Sequence, residues 1–177
     1  YALTATLLDA GGRPVGASHT PGEITVTGRQ RVYEVPAMQH PVGARLGGAV
    51  TLLGYDLAPG PLRAGATLDL TLYWRAEARV GAAYKVFTHL IDGADRVWGQ
   101  QDNEPVEGAY PTTGWLPGEI VVDAYHLALD PSTPEGDYAV EVGMYDAATV
   151  VRLPASDAEG APLPNDRILI PGLRVAP

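Results

Sequence analysis

The sequence contains no cysteine, one lysine and one phenylalanine among its 177 residues. The absence of cysteine excludes a disulfide framework, a cysteine-ligated zinc and a thiol nucleophile. Uninterrupted apolar runs of about 20 residues are also absent, so no segment is predicted to cross a membrane as a helix. The chain starts with Tyr1 inside a strand-like run. We therefore expect a piece of a longer protein, with any targeting segment outside it.

Basic charge is scarce as well. The 12 Lys and Arg residues face 21 Asp and Glu residues, which gives a formal net charge of −9 and a pI of about 4.7. Lys85 is the single lysine, and the arginines form no basic stripe. A polyanion would be repelled by this field, so nucleic acid and anionic membrane surfaces are excluded as expected partners.

Catalytic and metal-binding motifs are missing too. The sequence has no G-x-S-x-G, no P-loop, no H-E-x-x-H and no G-x-G-x-x-G. Its acidic turns do not match the calcium-binding loop pattern, and its histidines lack metal-ligand spacing. We therefore predict no catalytic residue, no metal and no cofactor. His89 and His126 fall inside strand patterns and are predicted to be core imidazoles, hydrogen-bonded to neighbours.

Short apolar runs of strand length are what the sequence does contain, separated by 21 Gly and 16 Pro residues. TLDLTLYW and GDYAVEVGMYD alternate with period two, and YKVFTHLI is apolar on both faces, as in a central strand. This spacing predicts an all-β, antiparallel β-sandwich of Ig-like or carbohydrate-module-like type, with a jelly roll as the alternative.

Ten strands and one short helical turn are predicted. The helical turn is placed at 131–135. The strands are placed near 1–8, 22–28, 31–35, 49–57, 67–74, 84–91, 96–101, 119–129, 136–146 and 167–175.

A partial internal repeat indicates the domain organisation. YALTATLLDA at 1–10 aligns with YAVEVGMYDA at 138–147, with four identities and the same apolar phase. We predict that 37–177 is a complete β-sandwich domain. Residues 1–36 are then either the last strands of an upstream repeat or strands added to the sandwich. The linker VPAMQHPVGARLGG is predicted to be an extended crossing segment. If 1–36 are a remnant, their apolar edges favour a dimer or a strand swap.

The order of blocks from GYDL through TLDLTLYW, YKVFTHLID, VWGQQDNEP, YPTTGWLPGE and VVDAYHLAL to GDYAVEVGMYD resembles a known region of other proteins. It is similar to the extracytoplasmic C-terminal β-sandwich region of putative bacterial membrane glycosyltransferases, which resemble dolichyl-phosphate-mannose–protein mannosyltransferases. The resemblance implies a location outside the cytoplasmic membrane and an association with a glycan-handling protein. The family has no established catalytic motif in this region, so the resemblance implies no functional residue.

Two segments carry the side chains that a sugar site requires. In YPTTGWLPGE, Tyr110 and Trp115 either stack on a ligand or pack inward against the end of the core. The inward arrangement is favoured, because a large ring seldom stays exposed without a partner. In VWGQQDNEP, Trp98, Gln101 and Asp102 combine an aromatic ring with polar groups. Period two places Trp98 and Gln100 on one face, and a β-hairpin is the simpler interpretation.

The expected function is that of a non-catalytic extracytoplasmic accessory or scaffold domain of a glycosyltransferase-like envelope protein. One alternative is a carbohydrate-binding module that uses Trp98, Trp115 and Tyr110, with a glycan as the partner. Another is a protein–protein interaction module that uses a sheet edge. A binding module requires at least one tryptophan ring to be exposed, whereas a scaffold buries all three.

Overall fold

A computed structural model describes residues 2–23 and 29–177, and these divide into two compact units, 1–31 and 32–177. The first unit contains an antiparallel hairpin of strands β1 (Ala2–Ala5) and β2 (His19–Glu23). The predicted strand at 22–28 lies partly outside the described residues. The second unit contains two five-stranded sheets, called sheets I and II below.

The two sheets form a sandwich, and the all-β prediction is confirmed. In spatial order, sheet II contains β11 (Ala155–Ser156), β3 (His40–Leu46), β4 (Val50–Leu57), β6 (Thr67–Ala76) and β9 (Ile120–Ala128). Sheet I contains β5 (Leu62–Arg63), β12 (Ile168–Ala176), β10 (Gly136–Asp146), β7 (Tyr84–Ile91) and β8 (Val97–Asn103). All pairings in the two sheets are antiparallel except that of β5 with β12.

The core lies between the sheets and follows the predicted period. Leu68, Leu70, Leu72 and Trp74 of β6 are all buried, while Thr67 and Asp69 of the same strand are exposed. Each fully buried aliphatic side chain contributes about 1.5–3 kcal/mol. The inner positions of β7 and β10 complete this core, so one face of each of these strands is left for the outer surface of sheet I.

Three local predictions are wrong. The segment 31–35 forms a single bridge, from Val32 to Ile120, rather than a strand. The predicted linker at 35–48 contains β3, whose Ala44 and Leu46 are buried. Its prolines and glycines concealed the alternation, because proline is tolerated where a strand needs no ladder donor and glycine at a bulge, and β3 pairs with the edge strand β11 only through Arg45 and Leu46. The predicted helical turn at 131–135 is an Asp-capped turn, in which the Ser132 N–H donates to Asp130 Oδ1.

The two aspartates that the predicted repeat aligns both cap turns, but so does an aspartate outside the repeat. Asp9 and Asp146, which the repeat aligns, each accept a hydrogen bond from the backbone N–H two residues later. Asp92, outside the repeat, does the same with the Ala94 N–H at 2.8 Å. The shared feature is therefore general turn chemistry. The assignment of 1–36 to an upstream repeat stays a prediction.

A β-bulge in β8 decides where Trp98 lies. Leu90 pairs with Gly99 and Ile91 pairs with Val97, so Trp98 is the extra residue. It turns into the core, whereas Gln100 is exposed, and the prediction of a shared face is wrong. Gly99 is required here, since an added Cβ would lie 2.8 Å from the Ala128 carbonyl oxygen of β9. The two sheets therefore meet along β8 and β9.

Candidate functional site

The outer face of sheet I carries an unusual set of side chains. Phe87 and His89 of β7 point away from the core, with Asp102 of β8 and Glu141 of β10 beside them. The register sets this arrangement, because Phe87 pairs with Asp102 and His89 pairs with Glu141. Side chains that are paired across antiparallel strands share one face. The β7–β8 hairpin and the distant strand β10 therefore build one cluster.

His89 lies between two carboxylates. Its Nδ1 donates to Glu141 Oε1 and its Nε2 donates to Asp102 Oδ1, each at 2.8 Å. The His89 side chain is 14% exposed. Burial lowers the pKa of His89, but the hydrogen bonds to Asp102 and Glu141 outweigh it and raise that pKa to about 9. At neutral pH His89 is therefore an imidazolium whose two N–H groups are both engaged.

Glu141 is the centre of this charged network. Besides His89, its carboxylate accepts a hydrogen bond from Arg167 Nη1 at 2.9 Å and one from Arg152 Nη2 at 3.4 Å. Burial raises the pKa of Glu141, but these partners outweigh it and hold that pKa at about 2. Glu141 stays ionised throughout the physiological range, and it orients three cationic side chains around itself.

A small recess opens beside this network. Its lining includes Phe87, Tyr145 and Val150 on the apolar side, with Arg152 and Asp102 on the polar side, and its volume is about 170 Å³. The Arg152 guanidinium lies over the Phe87 ring, 4.2 Å from the ring centroid. The ring in turn occupies the space left by Gly143, where an added Cβ would overlap it. The recess therefore has a fixed aromatic floor and charged walls.

The loop after β10 forms the lip of the recess. Asp146 organises this loop by accepting hydrogen bonds from the N–H groups of Ala148 and Thr149, both at 2.9 Å. Val150 has a φ of +59°, which is rare for a β-branched residue and indicates stored strain. Val150 and Val151 are both largely exposed. Strained, exposed apolar residues at a recess are typical of binding sites.

Tyr110 and Trp115 lie in the core region, away from the recess. Trp115 is completely buried, and its indole N–H donates to the Tyr110 carbonyl oxygen at 2.9 Å. Tyr110 is half-buried and packs against the core. The loop is held by Thr112, whose hydroxyl donates to the Ala82 carbonyl oxygen at 2.7 Å. The inward arrangement favoured by the sequence is the one observed, and neither ring lines the recess.

Of the other predicted site residues, one lines the recess and two lie elsewhere. Trp98 is 8% exposed, and it donates its indole N–H to Asp92 Oδ2 at 2.8 Å while Arg96 covers its ring. Gln101 Oε1 accepts the His126 backbone N–H at 2.6 Å and so links β8 to β9. Asp102 is the one predicted residue that lines the recess.

Phe87, Glu141, Tyr145 and Arg152 were not predicted as site residues. Glu141 and Tyr145 occupy the non-core phase of GDYAVEVGMYD, and Phe87 occupies one of the two apolar faces of YKVFTHLI. These outward-facing positions were the only indication in the sequence that the residues could contribute to a site. The strand order was needed to show that β7, β8 and β10 are neighbours.

His126 corrects another prediction, because it is not a core imidazole. It lies on the outer face of sheet II with its side chain 62% exposed, and its Nδ1 is 2.6 Å from Asp69 Oδ1. The strand phase is responsible, since Val122, Ala124 and His126 alternate with the buried residues of β9.

Within residues 2–23 and 29–177, no group of three or more His, Cys, Asp or Glu side chains is arranged to hold a metal ion. The same residues contain no helix long and apolar enough to cross a membrane.

Comparison with known proteins bears on the fold of the chain. No protein-family model matches the chain, and no curated protein matches it. Among solved structures, the chain is similar to the C-terminal domain of Wzt, with a TM-score of 0.50 and 13% sequence identity. The likeness covers 81% of this chain and 83% of that chain. At this identity it shows the fold alone, and the fold that the two share is a β-sandwich.

Proposed function

We propose that this chain is a non-catalytic glycan-binding accessory domain that works outside the cytoplasmic membrane as part of a glycan-handling protein. The observation that carries the proposal is the recess on the outer face of sheet I. It combines aromatic rings with oriented polar groups, the mix that sugar sites require. The resemblance to the extracytoplasmic region of glycosyltransferase-like proteins supports the location and the association.

The recess offers complementary partners to a sugar. The Asp102 carboxylate accepts hydrogen bonds from hydroxyl groups, and the Arg152 guanidinium donates to ring or hydroxyl oxygens. Tyr145 and Val150 offer apolar surface to the C–H face of a pyranose, while Phe87, which is 1% exposed, supports the Arg152 guanidinium from below. His89 holds Asp102 in place through the 2.8 Å hydrogen bond, so the acceptor is positioned before the ligand arrives.

The ionisation of Glu141 makes this residue unsuited to act as the acid of a glycosidase. A glycosidase needs one carboxylic acid that keeps its proton near neutral pH. Glu141, in the network, has a lowered pKa instead. Among the described residues, the carboxyl with a raised pKa is Asp123, where burial is the cause. It is enclosed in the core beneath Tyr125 and Trp74, away from any substrate.

A scaffold without a ligand is the second candidate function. The observation in its favour is that Trp74, Trp98 and Trp115 are all buried, as a scaffold predicts. The carbohydrate-binding module predicted from Trp98, Trp115 and Tyr110 is therefore wrong, and the glycan-binding proposal rests on the recess instead. In a scaffold the charged network stabilises sheet I and nothing binds in the recess.

An interaction module that uses a sheet edge is disfavoured by β3 and β12, which lie next to the edge strands β11 and β5 and pair with them at two positions each. β3 carries Pro41 and a bulge at Gly43, which has a φ of +77°. β12 carries Pro171 followed by Gly172, with a φ of +84°. Proline and bulges of this kind prevent strand addition.

The test is a binding measurement with soluble α-mannan, β-glucan, chitin and starch oligosaccharides, by calorimetry and by amide NMR shifts. We expect saturable shifts at β7, β8 and β10, and a loss of affinity of about tenfold or more in Asp102→Asn, since a charged acceptor is lost. Asp69→Asn is the matched control, because Asp69 contacts a histidine on the opposite outer face. Absence of binding to all four classes favours the scaffold. Equal losses in both variants contradict the assignment of the recess.

A further inference from the structure

A second depression lies on the same outer face of sheet I. It has a volume of about 410 Å³, and its lining includes Ile91 of β7, Ala139 of β10 and Leu169 of β12. Ile91 follows His89 by two residues, and Ala139 precedes Glu141 by two, so the second depression is the next row of the same face. It is therefore adjacent to the recess, with His89 and Glu141 between them.

The second depression differs from the recess in its chemistry. Its floor is aliphatic and spans three neighbouring strands, and Leu169 remains 49% exposed there. Acidic side chains surround the floor, including Asp95 and Asp137. A flat apolar floor with hydrogen-bond acceptors at its rim matches a sugar that lies on its C–H face with its hydroxyl groups directed outward.

Arg167 separates the two depressions. Its Nη1 donates to Glu141 Oε2 at 2.9 Å and its Nη2 donates to Asp95 Oδ1 at 2.8 Å, so Arg167, the residue before β12, links β10 to the turn after β7. The Arg167 side chain is mostly buried, while Asp95 is exposed. The guanidinium therefore joins Glu141, beside the recess, to Asp95, at the rim of the second depression.

The sizes of the two depressions support a ligand of more than one sugar. At about 30 Å³ for each water molecule, the recess holds about six waters and the second depression about fourteen. The recess alone is the size of a single ring. Leu169 is exposed and lies outside the core, so core packing does not explain why an apolar residue occupies this position.

We propose that the second depression is a further sugar subsite of this face, and that the ligand is an oligosaccharide chain running from the recess across Arg167 onto Leu169. This inference rests on the proposed glycan-binding function. It adds the ligand class, a chain of several sugars, and a specificity residue, Leu169. Asp102 then contacts one end of the bound stretch, and Leu169 contacts the other.

The experiment compares disaccharides with hexasaccharides of the same α-mannan, β-glucan, chitin and starch series, by calorimetry on the full chain. We expect the hexasaccharide of the bound series to bind at least about tenfold more tightly than its disaccharide, because it buries additional apolar surface. Leu169→Ser should remove that advantage and leave disaccharide affinity unchanged. Val122→Ser is the matched control, as Val122 is 44% exposed on the outer face of sheet II.

The outcomes separate the two proposals. Equal affinities for disaccharide and hexasaccharide, or a hexasaccharide affinity that survives Leu169→Ser, overturn the inference and leave the proposed function standing. Ala139→Leu provides an independent variant, since it fills the second depression rather than emptying it, and it should also abolish the length dependence. If no series binds to the unaltered chain, both proposals fail.

Discussion

His89 and His126 lie on the outer faces of opposite sheets, and each has a carboxylate within hydrogen-bonding distance of Nδ1. Their surroundings differ. The His89 side chain is 14% exposed, and it contacts Glu141 through Nδ1 and Asp102 through Nε2. Glu141 in turn binds two arginines. The His126 side chain is 62% exposed, and its Nδ1 contacts Asp69. The outer face of sheet I is therefore a built network, whereas that of sheet II carries an isolated surface pair.

The difference shows what converts a surface pair into a site. Surface ion pairs contribute about 0–1 kcal/mol, because water competes for both partners. Around His89 the loop from β10 and the Phe87 ring exclude part of that water, so the charges interact strongly and hold one geometry. The comparison predicts that matched changes on the two faces have unequal effects.

The largest difference is expected for the central carboxylates. Glu141→Gln leaves His89, Arg152 and Arg167 without their shared counter-charge in a mostly buried position, and should lower the free energy of unfolding by about 3 kcal/mol. Asp69→Asn on the exposed pair should lower it by less than about 1 kcal/mol. Urea denaturation measures both. Similar losses in the two variants would show that the two faces are equivalent.

The floor of the recess should be the next most sensitive element. Gly143→Ala adds a methyl group that overlaps the Phe87 ring, so the ring must move and about 2 kcal/mol of stability should be lost. The same change should weaken glycan binding. Gly81→Ala is the control, because nothing lies within 4 Å of a Cβ added there. An unchanged melting temperature in Gly143→Ala would mean that the floor is not rigid.

The pH dependence of stability should come from the built face. The pKa of His89 is raised from 6.5 to about 9, so its stabilising effect is fully present below pH 6.5 and is lost as the pH rises through about 9. Solvent screening limits the loss to about 1–2 kcal/mol. Denaturation at a series of pH values should show this slope in the unaltered chain and in His126→Asn. It should be absent from His89→Asn, and its persistence there would assign it to another group.

The smallest change in stability is expected at the lip of the recess, where a gain and a loss have different meanings. Val150→Gly relieves the strain of a φ of +59° and should raise stability by about 0.5 kcal/mol, after the entropy of the added glycine is included. Val151→Gly, with no strain to relieve, should instead lower stability by about 0.5–1 kcal/mol. Weaker glycan binding together with higher stability in Val150→Gly would identify Val150 as a functional residue. A loss of stability there would make its role structural.

Much of the fold was predictable because it depends on local alternation. The boundaries of β7 match the prediction, and those of β4, β8, β9 and β12 agree closely, since apolar alternation and turn residues mark them directly. β3 was missed because Pro41 and Gly43 are turn-like residues, which this strand accommodates at an irregularity in its pairing with β4. β5 and β11 have two residues each and no periodic signal.

The candidate site was predictable only in part. Asp102 was selected because polar residues cluster in VWGQQDNEP, and it lines the recess. Trp98 was selected from the same segment, but the bulge that turns it inward depends on the close approach of β8 to β9 at Gly99. Local spacing does not indicate such an approach.

By itself, the sequence determined the all-β class, the inward positions of most strands, the lack of cysteine chemistry and the net negative charge. These follow from composition and from period two, which act over a few residues. The β7–β8 hairpin was predicted from its turn, but only the tertiary structure decided that β10 lies beside β7 and that His89 lies between Asp102 and Glu141. Strand order and register depend on contacts between residues far apart in the chain, so the site exists only once the sheet has formed.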